Sequence, residues 1–189
     1  MLIQIISEIK KCISNDLYLA ALSMALTIPD ICGKAEYATD EELKNKTGKR
    51  YVQWFDSYIG QHERKYSVSE KDGAPYLPYI SGELVYKLRN SVLHSGMVDV
   101  DGQKLTEEQN KVTKFQLMIS KNMSGGYAAS DASITRSSNG EELSREYTVS
   151  IQYLCNILCC AGEKYYHANK DKFDFFQYNI VDERAFRKS

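Results

Sequence analysis

Through most of its first hundred residues the chain spaces its apolar positions for helices. Leu2 to Ser14 places Ile3, Ile6, Ile9 and Ile13 three and four residues apart, one face of a helix. A second helix is expected over Leu17–Ile28, rich in Ala, Leu and Met, with Asn15 or Asp16 as its cap. Pro29 ends it or restarts a short turn with Asp30, and Gly33 is expected to break the chain again. Thr39-Asp40-Glu41-Glu42 has the capping-box spacing and predicts a short helix that stops near Gly48. Tyr51, Trp54, Phe55, Tyr58 and Ile59 then recur at helical spacing, giving an aromatic face for the core. Gln61 to Tyr79 turns polar, with Gly73, Pro75 and Pro78, and reads as an exposed loop. Ser81 is placed to cap the next helix, with Glu83 in its first turn. Leu84, Val85, Leu88, Val92 and Leu93 are its apolar positions, and Gly96 is its stop.

After Gly96 the pattern changes. Asp101-Gly102 is a turn signal, and Lys114 to Ser120 partly alternates, as a strand does. Ser124 to Ser133 is rich in Gly, Ser and Ala, Ile134-Thr135 suits a partner strand, and Ser137 to Gly140 is another turn. The expectation is a small antiparallel β-hairpin inserted at about 100–140. Helix resumes from about Arg145 to Ala168, where Val149, Tyr153, Ile157 and Cys160 line one face and Leu154 and Leu158 widen it. Phe173 to Val181 reads as a short strand or an extended docking segment, and Asp182 to Ser189 as a charged, frayed tail. With no internal repeat and no linker, the simplest organisation is a single domain over 1–189. It is mainly α, a helical bundle with core helices in 1–96 and 145–168 and a small β-hairpin insertion.

Composition narrows the function. The 189 residues are 43% hydrophobic and 26% charged, ordinary for a globular protein and unlike a disordered or fibrous one. A net charge of −1 supplies no global nucleic-acid footprint, so any phosphate-binding surface must be local. Fourteen tyrosines suit interfaces and base stacking, and equally suit helix packing. The opening MLIQIISEIK has no basic lead-in and no small-residue cleavage site, so no signal peptide is expected. No window approaches 18 uninterrupted apolar residues, which points to a soluble cytoplasmic protein with no membrane partner. The sequons at Asn45-Lys46-Thr47 and Asn122-Met123-Ser124 then carry no meaning. Cys12, Cys32, Cys155, Cys159 and Cys160 are odd in number and irregular in spacing, unlike a disulfide framework. There is no C-x-x-C, and His62, His94 and His167 are scattered, so neither a structural metal nor a cofactor is expected.

The residues that carry chemistry lie in Tyr86 to Gly96, YKLRNSVLHSG. Asn90 and His94 are four apart and share a helix face. Arg89 and His94 are five apart, about 140° around an α-helix axis, although a long arginine side chain can swing towards the histidine near a frayed helix end. The three supply a fixed cation, an amide and a group whose ordinary pKa of ~6.5 lies near working pH. That combination suits RNA cleavage without a metal. His94 would move the proton as general base or acid, Arg89 would hold the phosphate, and Asn90 would orient His94 or bind a phosphate oxygen. One histidine cannot easily serve as both acid and base. Two copies facing each other across a two-fold interface would supply the second.

An R-N-x-x-x-H motif near the end of a helix, in a mainly helical chain, resembles the signature of HEPN domains. The segments SMALTIPDICGKAEY and RYVQWFDSYIG also resemble uncharacterised bacterial proteins of that group. The likeness covers Met1 to Gly96 and the helix near Val149 to Ala168, and leaves the β-like segment outside the minimal bundle. HEPN domains are helical bundles that usually pair as dimers. Many are metal-independent endoribonucleases of toxin–antitoxin, phage-defence and RNA-processing systems, and others are inactive or bind nucleotides. The resemblance assigns Arg89, Asn90 and His94 as catalytic residues, and no others. It implies a metal-independent endoribonuclease, a homodimer through the motif helix, RNA or a nucleotide as ligand, and an antitoxin protein as a partner. The alternative is a non-catalytic nucleotide- or RNA-binding or dimerisation module, which the near-neutral net charge favours slightly. A third reading, a purely structural partner protein, would leave Arg89 and His94 apart and facing solvent.

Other candidates weigh less. Lys44 to Arg50, KNKTGKR, suits a phosphate-backbone contact, but a solvated helix end is the commoner origin of such a run. It is no P-loop, because Leu43 stands where the first glycine belongs. Cys155, Cys159 and Cys160 suit a redox or metal site less well than small apolar packing. Asp30, Glu36 and Asp56 are candidate orienting carboxylates, and Asp30 after Pro29 reads first as a turn or cap residue. Trp54, Tyr58 and the Tyr165-Tyr166 pair are platforms for base stacking, weighed below core or dimer packing. His62 and His167 are expected on the surface.

Overall fold

In the computed structural model, residues 1–61, 80–96, 111–119, 129–137 and 140–175 are described. The protein is mainly α. Among the described residues, six α-helices, α1 (Leu2–Ser14), α2 (Tyr18–Ala25), α3 (Ile28–Glu36), α4 (Thr47–Phe55), α5 (Gly82–Asn90) and α6 (Ile151–Ala168), surround one apolar core. A three-stranded sheet, β1 (Lys111–Met118), β2 (Ala129–Ser137) and β3 (Gly140–Ser150), enters between α5 and α6. Among the described residues, no helix is long and apolar enough to cross a membrane.

The α1 stripe forms at Ile6, Ile9 and Ile13 as its spacing predicts, but its first buried position is Leu2, and Ile3 is only partly buried. Leu2, Ile6, Ile9 and Ile13 are buried, and each such burial contributes roughly 1.5–3 kcal/mol. The aromatic face of α4 is deeper still, with Tyr51, Trp54 and Phe55 wholly excluded from solvent. Helix α6 crosses α1, α2 and α3 and closes the core with Leu154, Cys155, Leu158 and Cys159.

Several boundaries differ from the pattern reading. α2 has no side-chain cap; Asp16 adopts φ 59°, and its carboxylate accepts from the Tyr18 hydroxyl at 2.6 Å. Pro29 sits in the first turn of α3, where a missing N–H costs nothing. Gly33 does not break that helix. It lets α3 lie on α4, since a Cβ there would stand 2.9 Å from the Arg50 carbonyl oxygen. The capping-box segment forms turns only: Asp40, not Thr39, accepts from the amides of Glu42 and Leu43, and helix starts again at Thr47.

Ser81 does cap α5, its hydroxyl accepting from the Leu84 amide at 3.2 Å. Gly96 closes the far end in the left-handed conformation, φ 63°. The α4 helix runs on into one turn of π-helix at Asp56–Gly60, and α5 into another at Ser91–Ser95.

The β-segment is more than a hairpin. The strand order is β1-β3-β2. β2 and β3 form the antiparallel hairpin, with Ile134 opposite Leu143 and Thr135 opposite Glu142. β1 pairs with β3 in parallel, from Lys111–Ser144 to Met118–Ser150. A parallel pair needs a long crossover, and here the crossover contains β2. β3 extends through Ser150, so α6 begins at Ile151 rather than near Arg145, with Ser150 accepting from the Tyr153 amide at 3.3 Å. Phe115 and Val149 tie the sheet to the helical core. The C-terminal segment begins with a 3-10 turn at Lys170–Phe173. The expected loop over 62–79, the Asp101-Gly102 turn, His62, and the remainder of the aromatic segment and tail from 176 lie outside the described residues.

Candidate functional site

Helices α4 and α5 run antiparallel and very close. A Cβ on Gly82 would meet the Val52 carbonyl oxygen at 2.6 Å, and one on Gly48 would meet the Tyr86 ring at 2.9 Å. Continuing that register carries the segment before Thr47 towards the Arg89–Asn90 end of α5. At the opposite end, Asp56 accepts from the Gly82 amide at 2.7 Å and completes the start of α5 beside the Ser81 cap.

At the Arg89 end the α-helix gives way to the π turn. This widening changes the azimuth of everything beyond it. In an α-helix, residues five apart point away from each other, whereas i→i+5 bonding stacks them. Arg89 Nη1 lies 3.3 Å from His94 Nε2 and donates to Asn90 Oδ1 at 2.9 Å. The three motif residues therefore meet around one guanidinium, by a turn of π-helix rather than by a frayed end.

A guanidinium can only donate. As a hydrogen bond this contact needs His94 Nε2 as the acceptor, which holds only for the tautomer with its ring proton on Nδ1. His94 is exposed, while Arg89 is largely sheltered, with 19% of its side chain accessible.

The fourth group is Asp30, in the first turn of α3. Its Oδ2 accepts from Arg89 Nε at 3.0 Å, across 59 residues of chain. The sequence marks Asp30 as a carboxylate but favours a turn or cap role, and nothing local signals its pairing with Arg89. Burial pushes the Asp30 carboxyl above its ordinary range, against the opposing pull of Arg89 and, to a smaller extent, Arg50. Asp30 Oδ1 and the Tyr51 hydroxyl are buried without hydrogen-bond partners among the described residues. Burial, followed by the Asp30 charge, raises the Tyr51 phenol well above its usual value.

Most of the other candidates are held elsewhere. Glu36 accepts from the hydroxyls of Tyr58 (3.2 Å) and Tyr165 (2.7 Å) and from Lys172 Nζ (2.7 Å). Trp54 stacks on Tyr58 and meets Tyr165 edge-on, so these rings pack together rather than offering open platforms. Tyr166 packs edge-on to Phe173. In KNKTGKR, Lys44 pairs with Glu41 at 2.6 Å, and Arg50 donates to the Lys44 carbonyl and reaches Thr47 Oγ1 at 3.4 Å. Lys46 and Lys49 are exposed. All five cysteines are free thiols, and burial pushes Cys155 and Cys159 up to about 12, which makes them inert packing groups. Cys160 is exposed, as is His167. Among the described residues, no group of three His, Cys, Asp or Glu could hold a metal ion.

An open groove of about 690 Å³ runs along α4 and α5, lined by Glu42, Lys49, Asp56, Glu83 and Tyr86 among others. It contains none of the motif residues, and its three carboxylates suit it poorly to phosphate. No family model matches the chain, and neither does any curated protein or solved structure.

Proposed function

We propose that the protein is a metal-independent endoribonuclease of the HEPN type that cleaves RNA by transesterification. One observation carries the reading: Arg89, Asn90 and His94 converge at hydrogen-bond distance, with a sheltered cation beside an exposed imidazole whose Nε2 faces it. A phosphodiester arriving at the guanidinium competes for the Nη1 donors and frees His94 Nε2. That nitrogen then takes the proton of the 2′-hydroxyl. The O2′–P bond forms, the P–O5′ bond breaks, and Arg89 offsets the charge gathering on the phosphoryl oxygens. The departing 5′-oxygen needs a proton, which His94 of a second copy, in its protonated imidazolium form, supplies across a two-fold axis along the motif helix. Leu93, exposed beside His94, belongs to the face that such a dimer would bury. Products are a 2′,3′-cyclic phosphate and a 5′-hydroxyl. A toxin or phage-defence setting, with an antitoxin partner that covers the same face, fits this reading.

The second reading is a nucleotide- or RNA-binding module without turnover. The specific observation for it is the Asp30–Arg89 ion pair, which neutralises the site's cation in the free protein.

The test is cleavage of a mixed RNA pool in EDTA by wild type and His94→Ala, with product ends identified. The proposal expects cyclic phosphate ends from wild type and none from the variant. Cleavage that survives both His94→Ala and Arg89→Ala would remove the site assignment. Binding without cleavage would favour the module.

A further inference from the structure

The Arg89 guanidinium is held from two sides that differ in kind. Its Nη1 edge faces Asn90 and His94, neighbours on its own helix. Its Nε is fixed by a carboxylate from another helix, α3, which is itself tied to α4 where Gly33 abuts Arg50. Asp30 makes that bond with Oδ2 alone, and its buried Oδ1 has no other hydrogen-bond partner among the described residues. A surface ion pair of convenience would be exposed at both ends, whereas here the two side chains are 18% and 19% accessible. The groups facing Asp30 from the elements around it are Arg89 on α5, and Arg50 and Tyr51 on α4.

We propose that Asp30 is a positioning residue that fixes the plane of the Arg89 guanidinium and, by its charge, selects a phosphodiester over a phosphomonoester. This rests on reading the Arg89 cluster as a phosphate site. A guanidinium bonded at Nε by a carboxylate presents its Nη edge in one orientation, towards His94. Guanidinium and carboxylate together carry no net charge. An anion entering at the Nη edge gains from Arg89 and loses to Asp30, and the loss scales with the anion's charge. A diester carries one negative charge and a monoester close to two at neutral pH. The site therefore favours an internal linkage over a terminal phosphate or a free nucleotide.

Two measurements test the two halves. The first is the Arg89 Nε–H signal in nitrogen-15 spectra. It should be protected from exchange in wild type and in Asp30→Asn, whose amide oxygen can still accept, and lost in Asp30→Ala. A signal equally protected in Asp30→Ala overturns the positioning role, and this readout needs neither ligand nor activity. Retention of the bond in Asp30→Asn keeps the test meaningful even where Asp30→Ala fails to fold. The second is affinity for an uncleavable deoxydinucleotide (one diester) and for a deoxynucleoside 3′-monophosphate. Asp30→Asn should tighten the diester roughly 3-fold and the monoester roughly 10-fold, because each added charge experiences the missing repulsion once more. Equal tightening of both overturns the charge selection. Binding of neither by wild type overturns the phosphate reading and the selectivity with it, while the Arg89 signal still decides the positioning.

Discussion

Helix α3 carries a carboxylate at each end, and the two have opposite surroundings. Glu36, its last residue, is saturated: two tyrosine hydroxyls and a lysine donate to it. Burial alone would push it up, but those donors and the Lys172 charge outweigh burial and hold it below its ordinary value. Asp30, in the first turn, has one directed partner and is pushed up by burial. A saturated carboxylate is a tie between elements. It links α3 to the π turn after α4, to α6 and to the 3-10 turn. An undersaturated carboxylate against an arginine is a poised group, since its partner has donors to give to something else. Stability should thus depend on the Glu36 end of α3, and chemistry on the Asp30 end.

The sharpest way to break that contrast is His94→Ala. On the ribonuclease reading it should lower cleavage by at least about 100-fold, and as an exposed residue it should move Tm by only about 2 °C or less. A large fall in Tm would put His94 among the structural ties. Next is Glu36→Gln, which keeps shape and loses charge. Hydrogen bonds to a charged group contribute ~1.5–3 kcal/mol, discounted here for the half-exposed Lys172. The expected loss is ~1.5 kcal/mol, or about 3–6 °C in Tm, with no change, on the ribonuclease reading, in RNA cleavage. Thermal melts followed by Trp54 fluorescence read this directly, because Trp54 packs on Tyr58 and Tyr165.

The pH dependence sharpens the comparison further. A depressed carboxylate contributes stability that is present above its unfolded value, 4.5 for Glu36, and lost as pH falls through the lower folded value. The Tm gap between wild type and Glu36→Gln should therefore begin to close as pH falls below 4.5. Asp30 has the opposite sign. Its raised folded value means that the folded state binds the extra proton, so its contribution grows as pH falls and Asp30→Asn should not reproduce the Glu36 profile. The smallest effect is expected of Gly96→Ala. Nothing lies within 4 Å of the added Cβ, so only the left-handed backbone costs, about 1 kcal/mol. Chemical denaturation gives that value, and a cost above 3 kcal/mol would mean that the π turn itself had come apart.

Much of the helical frame was legible from side-chain spacing, because burial in α1, α4 and α5 depends on the same three- and four-residue periods that the pattern shows. The Ser81 cap and the Gly96 stop were legible because each is a local rule. The end of β3 was not. Val149 is apolar in both a helical and an alternating register, and it is the parallel pairing with β1 that keeps residues up to Ser150 extended. The motif residues were readable as types, but their meeting was not. A π turn is one displaced hydrogen bond, with no compositional mark in SVLHS. The Asp30–Arg89 pair depends on α3 and α5 both packing against α4, which no spacing along the chain reports.

The position of α6 has a consequence for synthesis. Every residue of the proposed site has been synthesised once residue 94 is added, yet the helix that covers the apolar faces of α1, α2 and α3 is encoded at 151–168. Until then a growing chain carries a complete motif on an unclosed core, with a parallel strand pair still to be joined across a long crossover. Closure of the core by the last helix would be the step that makes Asp30 and Arg89 hold still, so a truncated product ending before Ile151 should contain all the chemistry and perform none of it.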